Sequence, residues 1–199
     1  MNPDNYEIKI EKELRIDTLG RDDKKEDDHH YPYEPTPYVV LERLAESGYL
    51  SKENILVDYG CGKGRVDFYM SVKTGCRTIG IDFDERMIKK ALENQRTVVN
   101  KKKTEFICMP AENYEVTQAD RFYFFNPFSI EILRSVLGKI LESYYQNPRD
   151  IMLFFYYPSK EYVADLMTKN ELMFVDEIDC RDLFQGENER ERILVFEIG

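Results

Sequence analysis

The sequence predicts an α/β fold, with a doubly wound, mostly parallel seven-stranded sheet, helices on both faces and a C-terminal antiparallel hairpin. Short apolar strands alternate with helical patterns over most of the chain, which is typical of a parallel sheet. One apolar strand runs directly into a glycine-rich loop and a helix within residues 55–74. The last two predicted strands have no helix between them, which indicates a hairpin at one edge of the sheet.

The first half of the chain contains one strand that is apolar on both faces. Ile55, Leu56 and Val57 have this pattern, as central parallel strands do. The helix that follows Asp82 has Met87 and Ile88 on its predicted inner face. The predicted elements of this half are a helix at 38–47, a strand at 55–57, a helix at 65–74, a strand at 78–81, a helix at about 84–99 and a strand at 105–109.

The second half contains the longest amphipathic pattern. Apolar residues recur at helical spacing between Ile130 and Tyr145, with Leu133, Val136 and Ile140 in the buried stripe. The predicted elements of this half are a strand at 121–125, a helix at 130–145, a strand at 151–157, a helix at 161–169 and strands at 173–178 and 192–198.

Length and charge limit the organisation and the partners of the protein. The chain has 199 residues and a net charge of -10, which weakly opposes binding to nucleic acid phosphates. We predict a charged N-terminal extension at 1–30, flexible or ordered only by docking, and one domain at 31–199. The four cysteines are scattered, and no apolar run approaches a membrane span of about 20 residues. We therefore expect a cytoplasmic protein that binds no membrane.

The glycine-rich loop after the first strand is the candidate ligand site. Glycines permit close approach of a ligand to the backbone, and a helix N-terminus follows. A dinucleotide fingerprint has the spacing G-x-G-x-x-G, whereas this loop has the spacing D-x-G-x-G-x-G, beginning at Asp58. A carboxylate at this position repels phosphates and pairs with an ammonium group. The pattern therefore favours a cationic, phosphate-free ligand that has an amino-acid end.

The run Val57-Asp-Tyr-Gly-Cys-Gly-Lys-Gly64 resembles the first motif of the class I S-adenosylmethionine-dependent methyltransferases, and Gly80-Ile-Asp-Phe-Asp-Glu-Arg-Met-Ile88 resembles their second. The resemblance covers about residues 38–199. It implies that Asp82 accepts hydrogen bonds from the ribose hydroxyls of S-adenosylmethionine and that Phe83 lies along the adenine. A purely structural alternative for Asp82 is the N-cap of the next helix. The other cofactor contacts that the resemblance implies are Asp58, Gly60, Cys61, Gly62, Gly64, Ala111, Glu112 and Asn126.

The segment Phe124-Phe-Asn-Pro-Phe128 resembles the N-P-P-Y/F element of methyltransferases that modify planar amines. The resemblance implies that Asn126 and Pro127 orient a target nitrogen and that Phe128 stacks on the substrate. This chain has one proline where the element has two. The alternative is that Asn-Pro simply ends the strand and begins a turn.

Aromatic and hydroxyl side chains are candidates for the substrate side of the site. We predict that Tyr33, Thr36, Tyr38 and Tyr157 line a pocket over the donor methyl group, with residues 35–37 as its lid. His29 and His30 are adjacent, so their side chains point in opposite directions on extended chain, and we predict no metal site.

These features predict a methyltransferase that moves a methyl group from S-adenosylmethionine to a nucleophile, with nitrogen preferred. The substrate is unidentified, and a small molecule or a protein is favoured over RNA. One alternative is a catalytically silent cofactor-binding subunit or sensor. A second is a nicotinamide-dependent oxidoreductase, which Asp58 disfavours.

Overall fold

A computed structural model describes residues 3–22, 33–99, 103–186 and 188–199 of the protein. Its sheet has seven strands in the order β3-β2-β1-β4-β5-β7-β6, with β7 antiparallel to both of its neighbours. This arrangement confirms the predicted fold class. The strands are β1 Ile55–Tyr59, β2 Arg77–Asp82, β3 Thr104–Cys108, β4 Arg121–Phe124, β5 Met152–Tyr156, β6 Leu172–Asp179 and β7 Arg192–Ile198.

Helices cover both faces of the sheet, and two apolar cores result. Alternate strand residues point to opposite faces, so Val57 packs in the core beneath α5 and α6, whereas Leu56 packs in the core with α2 and α3. The helices are α1 Pro3–Leu14, α2 Tyr38–Glu46, α3 Arg65–Thr74, α4 Glu85–Thr97, α5 Ile130–Gln146 and α6 Lys160–Leu166. No helix of the described ranges is both long enough and apolar enough to span a bilayer.

Within the predicted N-terminal extension, the structure describes residues 3–22, which include helix α1. Helix α1 packs on the domain through Ile10 and Leu14, which are both buried. The third buried position of α1 is Glu11, which is 4% exposed. The helical spacing of apolar residues in α1 is weak, because the carboxylate of Glu11 occupies part of the buried face. The sequence pattern therefore did not predict this helix.

Most predicted elements agree with the structure to within one or two residues. The largest difference is at the end of α6, which stops at Leu166, although a helix to Lys169 was expected. Thr168 and Lys169 instead make short-range hydrogen bonds to the carbonyls of Asp165 and Leu166. The chain tightens there into single turns and then enters β6.

The strand order reverses beside β1. The chain passes from β1 to β2 and β3 on one side and then returns to β4 on the other side. In open parallel sheets, a crevice for ligands forms outside the carboxyl ends of the strands at such a reversal. The motif residues after β1, β2 and β4 therefore converge there.

Candidate active site

A cleft of about 990 Å³ lies over the carboxyl ends of β1, β2 and β4, counted with the solvent at its mouth. The loop after β3 and the segment 33–36 form its other walls. Five separate parts of the chain therefore contribute to one site.

The glycine-rich loop is held close to two neighbouring elements. The N–H groups of Gly60 and Cys61 both donate to the carbonyl of Ile81, at 2.8 and 3.0 Å. Gly60 has a positive φ, and a Cβ added there would lie 2.5 Å from Cβ of Pro127. The loop after β1 thus packs directly against the loop after β4, and glycine is needed for this approach.

Asp82 organises the backbone at the end of β2. Its carboxylate oxygens accept hydrogen bonds from the N–H of Gly62 at 2.9 Å and from the N–H of Asp84 at 2.8 Å. Asp84 is the N-cap of α4, because its side chain accepts from the N–H of Arg86 at 2.9 Å. The N-cap of α4, which was the structural alternative for Asp82, is therefore Asp84.

Two buried carboxyl groups lie beneath the glycine-rich loop. Asp58 borders the cleft, and Asp67 of α3 is fully buried next to it. Burial raises the pKa of both groups, and the pKa of Asp67 lies well above its usual range. The negative charge of Asp82 raises the pKa of Asp58 further.

The loop after β3 contributes an acceptor at the far end of the cleft. One carboxylate oxygen of Glu112, Oε2, is buried and has no hydrogen-bond partner among the described residues. Glu112 belongs to a short 3-10 turn, Ala111–Asn113, and both Ala111 and Met109 line the cleft with it. A buried acceptor without a partner is costly, so a ligand N–H at this position gains a hydrogen bond.

The segment 33–36 covers the glycine-rich loop. The ring of Tyr33 packs on the backbone of Gly62, and its hydroxyl donates to the carbonyl of Thr18 at 2.6 Å. Thr36 is buried, and its hydroxyl lies 3.1 Å from that of Tyr123 on β4. Both residues line the cleft, and the segment forms a wall of it.

Arg65 anchors this wall to α1. The guanidinium group is buried and makes ion pairs with Glu7 and Glu11 of α1, the second at 3.3 Å. It also donates to the carbonyl of Thr36 at 3.1 Å and lies over the ring of Tyr38, 4.3 Å from its centroid. The N-terminal helix is therefore connected to the cleft through one buried cation.

Asn126 links the loops that follow β4 and β5. Its side-chain amide donates to the carbonyl of Tyr157, and its side-chain carbonyl accepts from the N–H of Ser159 at 3.1 Å. Asn126 and Tyr157 both have positive φ. The Asn side chain supports a strained pair of turns, while Asn126 also lines the cleft.

A side groove adjoins the cleft. It shares Glu34, Phe125 and Asn126 with the cleft and therefore opens next to it. The guanidinium of Arg190 covers the ring of Tyr157 in this groove, 4.0 Å from the centroid. The residues that line the side groove are Arg21, Glu34, Phe125, Asn126, Tyr157, Ser159 and Arg190.

Comparisons with known proteins agree with this geometry. Residues 56–146, which contain β1 to α5 and the glycine-rich loop, match the family described as "Methyltransferase domain". These residues are therefore similar to methyltransferase domains. The matched residues include the glycine-rich loop, Asp82 and the Asn-Pro segment, all of which contribute to the cleft.

The chain is similar to a curated protein, a protein-lysine N-methyltransferase of Saccharolobus islandicus (strain REY15A). The two are 37% identical over 71 residues, which are 33% of this chain and 41% of that protein. The chain thus matches about two fifths of the relative's length.

Solved structures share the fold of this chain at low sequence identity. An RNA methyltransferase from Salinibacter ruber in complex with S-adenosyl-L-homocysteine is 19% identical, with a TM-score of 0.56 over 83% of this chain and 94% of that chain. Magnesium protoporphyrin IX methyltransferase from Synechocystis PCC 6803 with bound SAM is 15% identical, with a TM-score of 0.58 over 81% and 77%.

The structure brings most of the predicted site residues together. Gly62 and Gly64 shape the loop behind the cleft, and Phe128 borders the cleft but is buried against Tyr59 and Phe124. The predicted residues that line the cleft are Tyr33, Thr36, Asp58, Gly60, Cys61, Asp82, Phe83, Ala111, Glu112, Asn126, Pro127 and Phe128.

Two predicted substrate residues lie elsewhere. Tyr38 is fully buried in α2, and its hydroxyl donates to Glu11 at 2.6 Å, so it faces α1 and not the cleft. Tyr157 lines the side groove, and its hydroxyl accepts from the amide of Asn188 at 2.9 Å. Tyr38 was predicted as an aromatic residue lining the pocket, but it begins α2 and its ring is turned inward.

The metal prediction is tested only in part. No cluster of His, Cys, Asp or Glu suited to a metal ion occurs in the ranges that the structure describes. His29 and His30 lie outside those ranges.

Sequence reasoning did not single out Asp67 or Arg65. Asp67 follows Gly64 by three positions, and a carboxylate at this place in a first helical turn is common because it suits the helix dipole. The sequence around Asp67 could have indicated its importance, because the neighbouring residues Val66, Phe68, Tyr69 and Met70 are all apolar and buried. A helix buried on all sides makes a charged residue within it unusual.

Proposed function

We propose that the protein transfers a methyl group from S-adenosylmethionine to an amine nitrogen, with the side-chain amine of a lysine in a protein as the acceptor class. The observation that carries the proposal is the cleft, in which three acceptor groups stand at separate positions. They are Asp58 below the glycine-rich loop, Asp82 after β2 and Glu112 after β3. The ligand has matching donors: an α-ammonium group, ribose hydroxyls and an adenine amine.

The residues present fit this cofactor. The buried Oε2 of Glu112 lacks a partner among described groups and suits the adenine amine. Asp82 suits the ribose, and Asp58 suits the ammonium group. Gly60 keeps the loop free of a side chain where it meets Pro127. The acidic lining of the cleft disfavours the pyrophosphate of a nicotinamide dinucleotide, which is the less favoured alternative.

S-adenosylmethionine supplies a methyl group that its sulfonium already makes electrophilic. The chain therefore needs to orient a nucleophile and exclude water, and it needs no strong base. We assign this orienting role to the Asn126–Phe128 segment, which borders both the cleft and the side groove. The backbone carbonyls of this segment are the acceptor groups that we favour, since the Asn126 side chain already bonds to the loop after β5.

The side groove supports an extended cationic acceptor. The ring of Phe125 suits an aliphatic stem, and Glu34 at the junction with the cleft, which pairs with Arg21 at 3.8 Å, suits an amine that takes the place of that arginine. The similarity to the archaeal protein-lysine N-methyltransferase supports the same acceptor class. A small-molecule amine is the alternative acceptor.

The test is transfer of labelled methyl groups from S-adenosylmethionine by the purified protein into a cell extract. We expect label that survives nuclease, disappears with protease and is recovered as methyllysine after hydrolysis. Label lost with nuclease, or confined to small molecules, would contradict the lysine assignment. No transfer despite cofactor binding would favour the silent subunit or sensor, which the engaged side chain of Asn126 permits.

Asp82→Ala tests the site itself. We expect this variant to lose measurable S-adenosylhomocysteine binding by calorimetry, because both its ribose acceptor and its backbone hydrogen bonds are removed. Glu105→Ala is the matched control, an exposed carboxylate on β3 that pairs with Arg77 at 3.1 Å. It should bind as the wild type does. An unchanged dissociation constant in Asp82→Ala would refute the site.

A further inference from the structure

Asp58 and Asp67 meet on the α3 face of the sheet because of the strand register. Asp58 is paired with Gly80 on β2 and with Tyr123 on β4. Since Gly80 has no side chain, the carboxyl group of Asp67 occupies the space above it. A Cβ added to Gly80 would lie 2.8 Å from Oδ2 of Asp67. A side-chain hydrogen bond between the two carboxyl groups lowers the pKa of Asp58 and raises the pKa of Asp67.

The two members of this pair differ in access. Asp58 borders the cleft, whereas both carboxyl oxygens of Asp67 are sealed from solvent. Neither oxygen of Asp67 has a well-formed hydrogen bond from a described residue, and the Thr78 hydroxyl and the N–H of Asp67 lower its pKa less than burial raises it. A buried carboxylate without donors costs several kcal/mol, whereas a carboxylic acid has an O–H that can itself donate.

The surroundings of the pair favour retention of a proton. The titratable groups that face it are Cys61 from the loop, Asp82 from the end of β2 and Tyr123 from β4. None of the groups that act on either carboxyl, within the described part of the chain, is a cation. The N-terminal dipole of α3 favours a charge on Asp67 only modestly. This effect is less than the desolvation cost of a sealed ion.

We propose that Asp67 is a positioning residue that remains protonated at neutral pH and donates a hydrogen bond to Asp58. When an ammonium group is bound, the pair carries one negative charge on Asp58, because the cation lowers the pKa of that carboxyl group from its raised value of about 8. Asp67 holds that carboxylate in a single orientation toward the cleft. This inference deepens the proposed function, and it rests on that function for the assignment of the ammonium group as the partner of Asp58.

The protonation of Asp67 is tested on the cofactor-free protein. Infrared difference spectra at pH 7, with ¹³C-labelled aspartate, compare the wild type with Asp67→Asn. We expect the C=O stretch of a protonated carboxyl group in this difference. The matched control is Asp165→Asn, which removes a buried carboxylate that pairs with Arg134 at 2.8 Å and Lys169 at 3.2 Å. Its difference spectrum should lack the acid band. Absence of the band for Asp67 overturns the proposal.

The positioning role is tested by calorimetry with S-adenosylhomocysteine. Asp67→Asn retains a donor toward Asp58, so we expect its dissociation constant to stay within about threefold of the wild-type value. Asp67→Leu removes the donor, and we expect binding to weaken about tenfold or more. A dissociation constant of Asp67→Leu equal to that of the wild type overturns the positioning role. Should Asp67→Leu not fold, a tenfold loss in Asp67→Asn overturns it instead.

The two proposals fail separately. A wild-type protein that shows the acid band but binds no S-adenosylhomocysteine contradicts the proposed function and supports the protonated pair. A protein that binds the compound without an acid band keeps the proposed function and overturns this inference.

Discussion

Single residues in the cleft combine ligand chemistry with support of the backbone. Asp82 offers a carboxylate to a ligand and also accepts hydrogen bonds from two backbone N–H groups. Gly60 lets the backbone of one loop touch Pro127 of another. Substitutions here therefore affect folding and binding together, so each variant needs a measurement of stability beside the measurement of binding.

Burial of Asp67 predicts a specific dependence of stability on pH. Its raised pKa means that the folded state keeps a proton that an unfolded Asp loses near pH 4. The folded state then binds more protons, so the free energy of unfolding falls as pH rises. Asp67→Asn cannot ionise. Relative to the wild type, we expect the free energy of unfolding of Asp67→Asn to increase by up to about 1.4 kcal/mol for each pH unit between about pH 5 and 8.

Urea unfolding of both proteins at several pH values checks this expectation. Only the slope of the difference matters, because Asn itself can change packing by a constant amount. A difference that does not vary with pH would contradict a retained proton on Asp67.

Among the elements, α1 shows how a polar face can dock a helix. Glu11 accepts hydrogen bonds from the N–H of Thr18 at 2.8 Å and from the hydroxyl of Tyr38 at 2.6 Å, and it pairs with Arg65. These groups satisfy a carboxylate that is almost fully buried. The helix thereby secures the guanidinium group that supports Thr36 at the wall of the cleft.

Glu11→Gln should destabilise the protein by about 2–4 kcal/mol, because it leaves a buried guanidinium with one carboxylate partner fewer. Glu13→Gln on the same helix is the control. Glu13 is 57% exposed and pairs with Lys9 at 3.7 Å, so its loss should change stability by less than about 1 kcal/mol. Urea unfolding at pH 7 measures both. Similar effects for the two variants would show that α1 is not docked through Glu11.

At the scale of the whole molecule, the charge distribution of the cleft agrees with the net charge of -10. Asp58, Asp82 and Glu112 line the same cavity. A ligand with an ammonium group meets favourable electrostatics there, whereas a pyrophosphate meets repulsion. The cleft also lies between the two halves of the sheet, so an occupant contacts loops from both.

A ligand at this position should stabilise the entire domain. At a concentration 100 times its dissociation constant, S-adenosylhomocysteine should add about 2.7 kcal/mol. For a chain of this size, that corresponds to a rise in Tm of about 5–10 °C. NADH at the same concentration should leave Tm unchanged. Thermal unfolding followed by circular dichroism checks both, and the opposite ranking would favour the dinucleotide alternative.

The sequence by itself determined the order of strands and helices and the identity of the glycine-rich loop. Its apolar strands and amphipathic helices have periods that depend on local geometry, and therefore they can be recognised without knowledge of distant contacts. The ligand class followed from the position of Asp58 relative to the glycines, which is also a local relation. These predictions reached the residues that line most of the cleft.

Only the tertiary structure decided which side chains meet across the sheet. The Asp58–Asp67 pair requires the register between β1 and β2, and the contact of α1 with Arg65 joins residues more than fifty positions apart. The inward turn of Tyr38 and the bonds of Asn126 to the loop after β5 are of the same kind. Burial and pairing depend on how distant elements pack, and no period within one element encodes that packing.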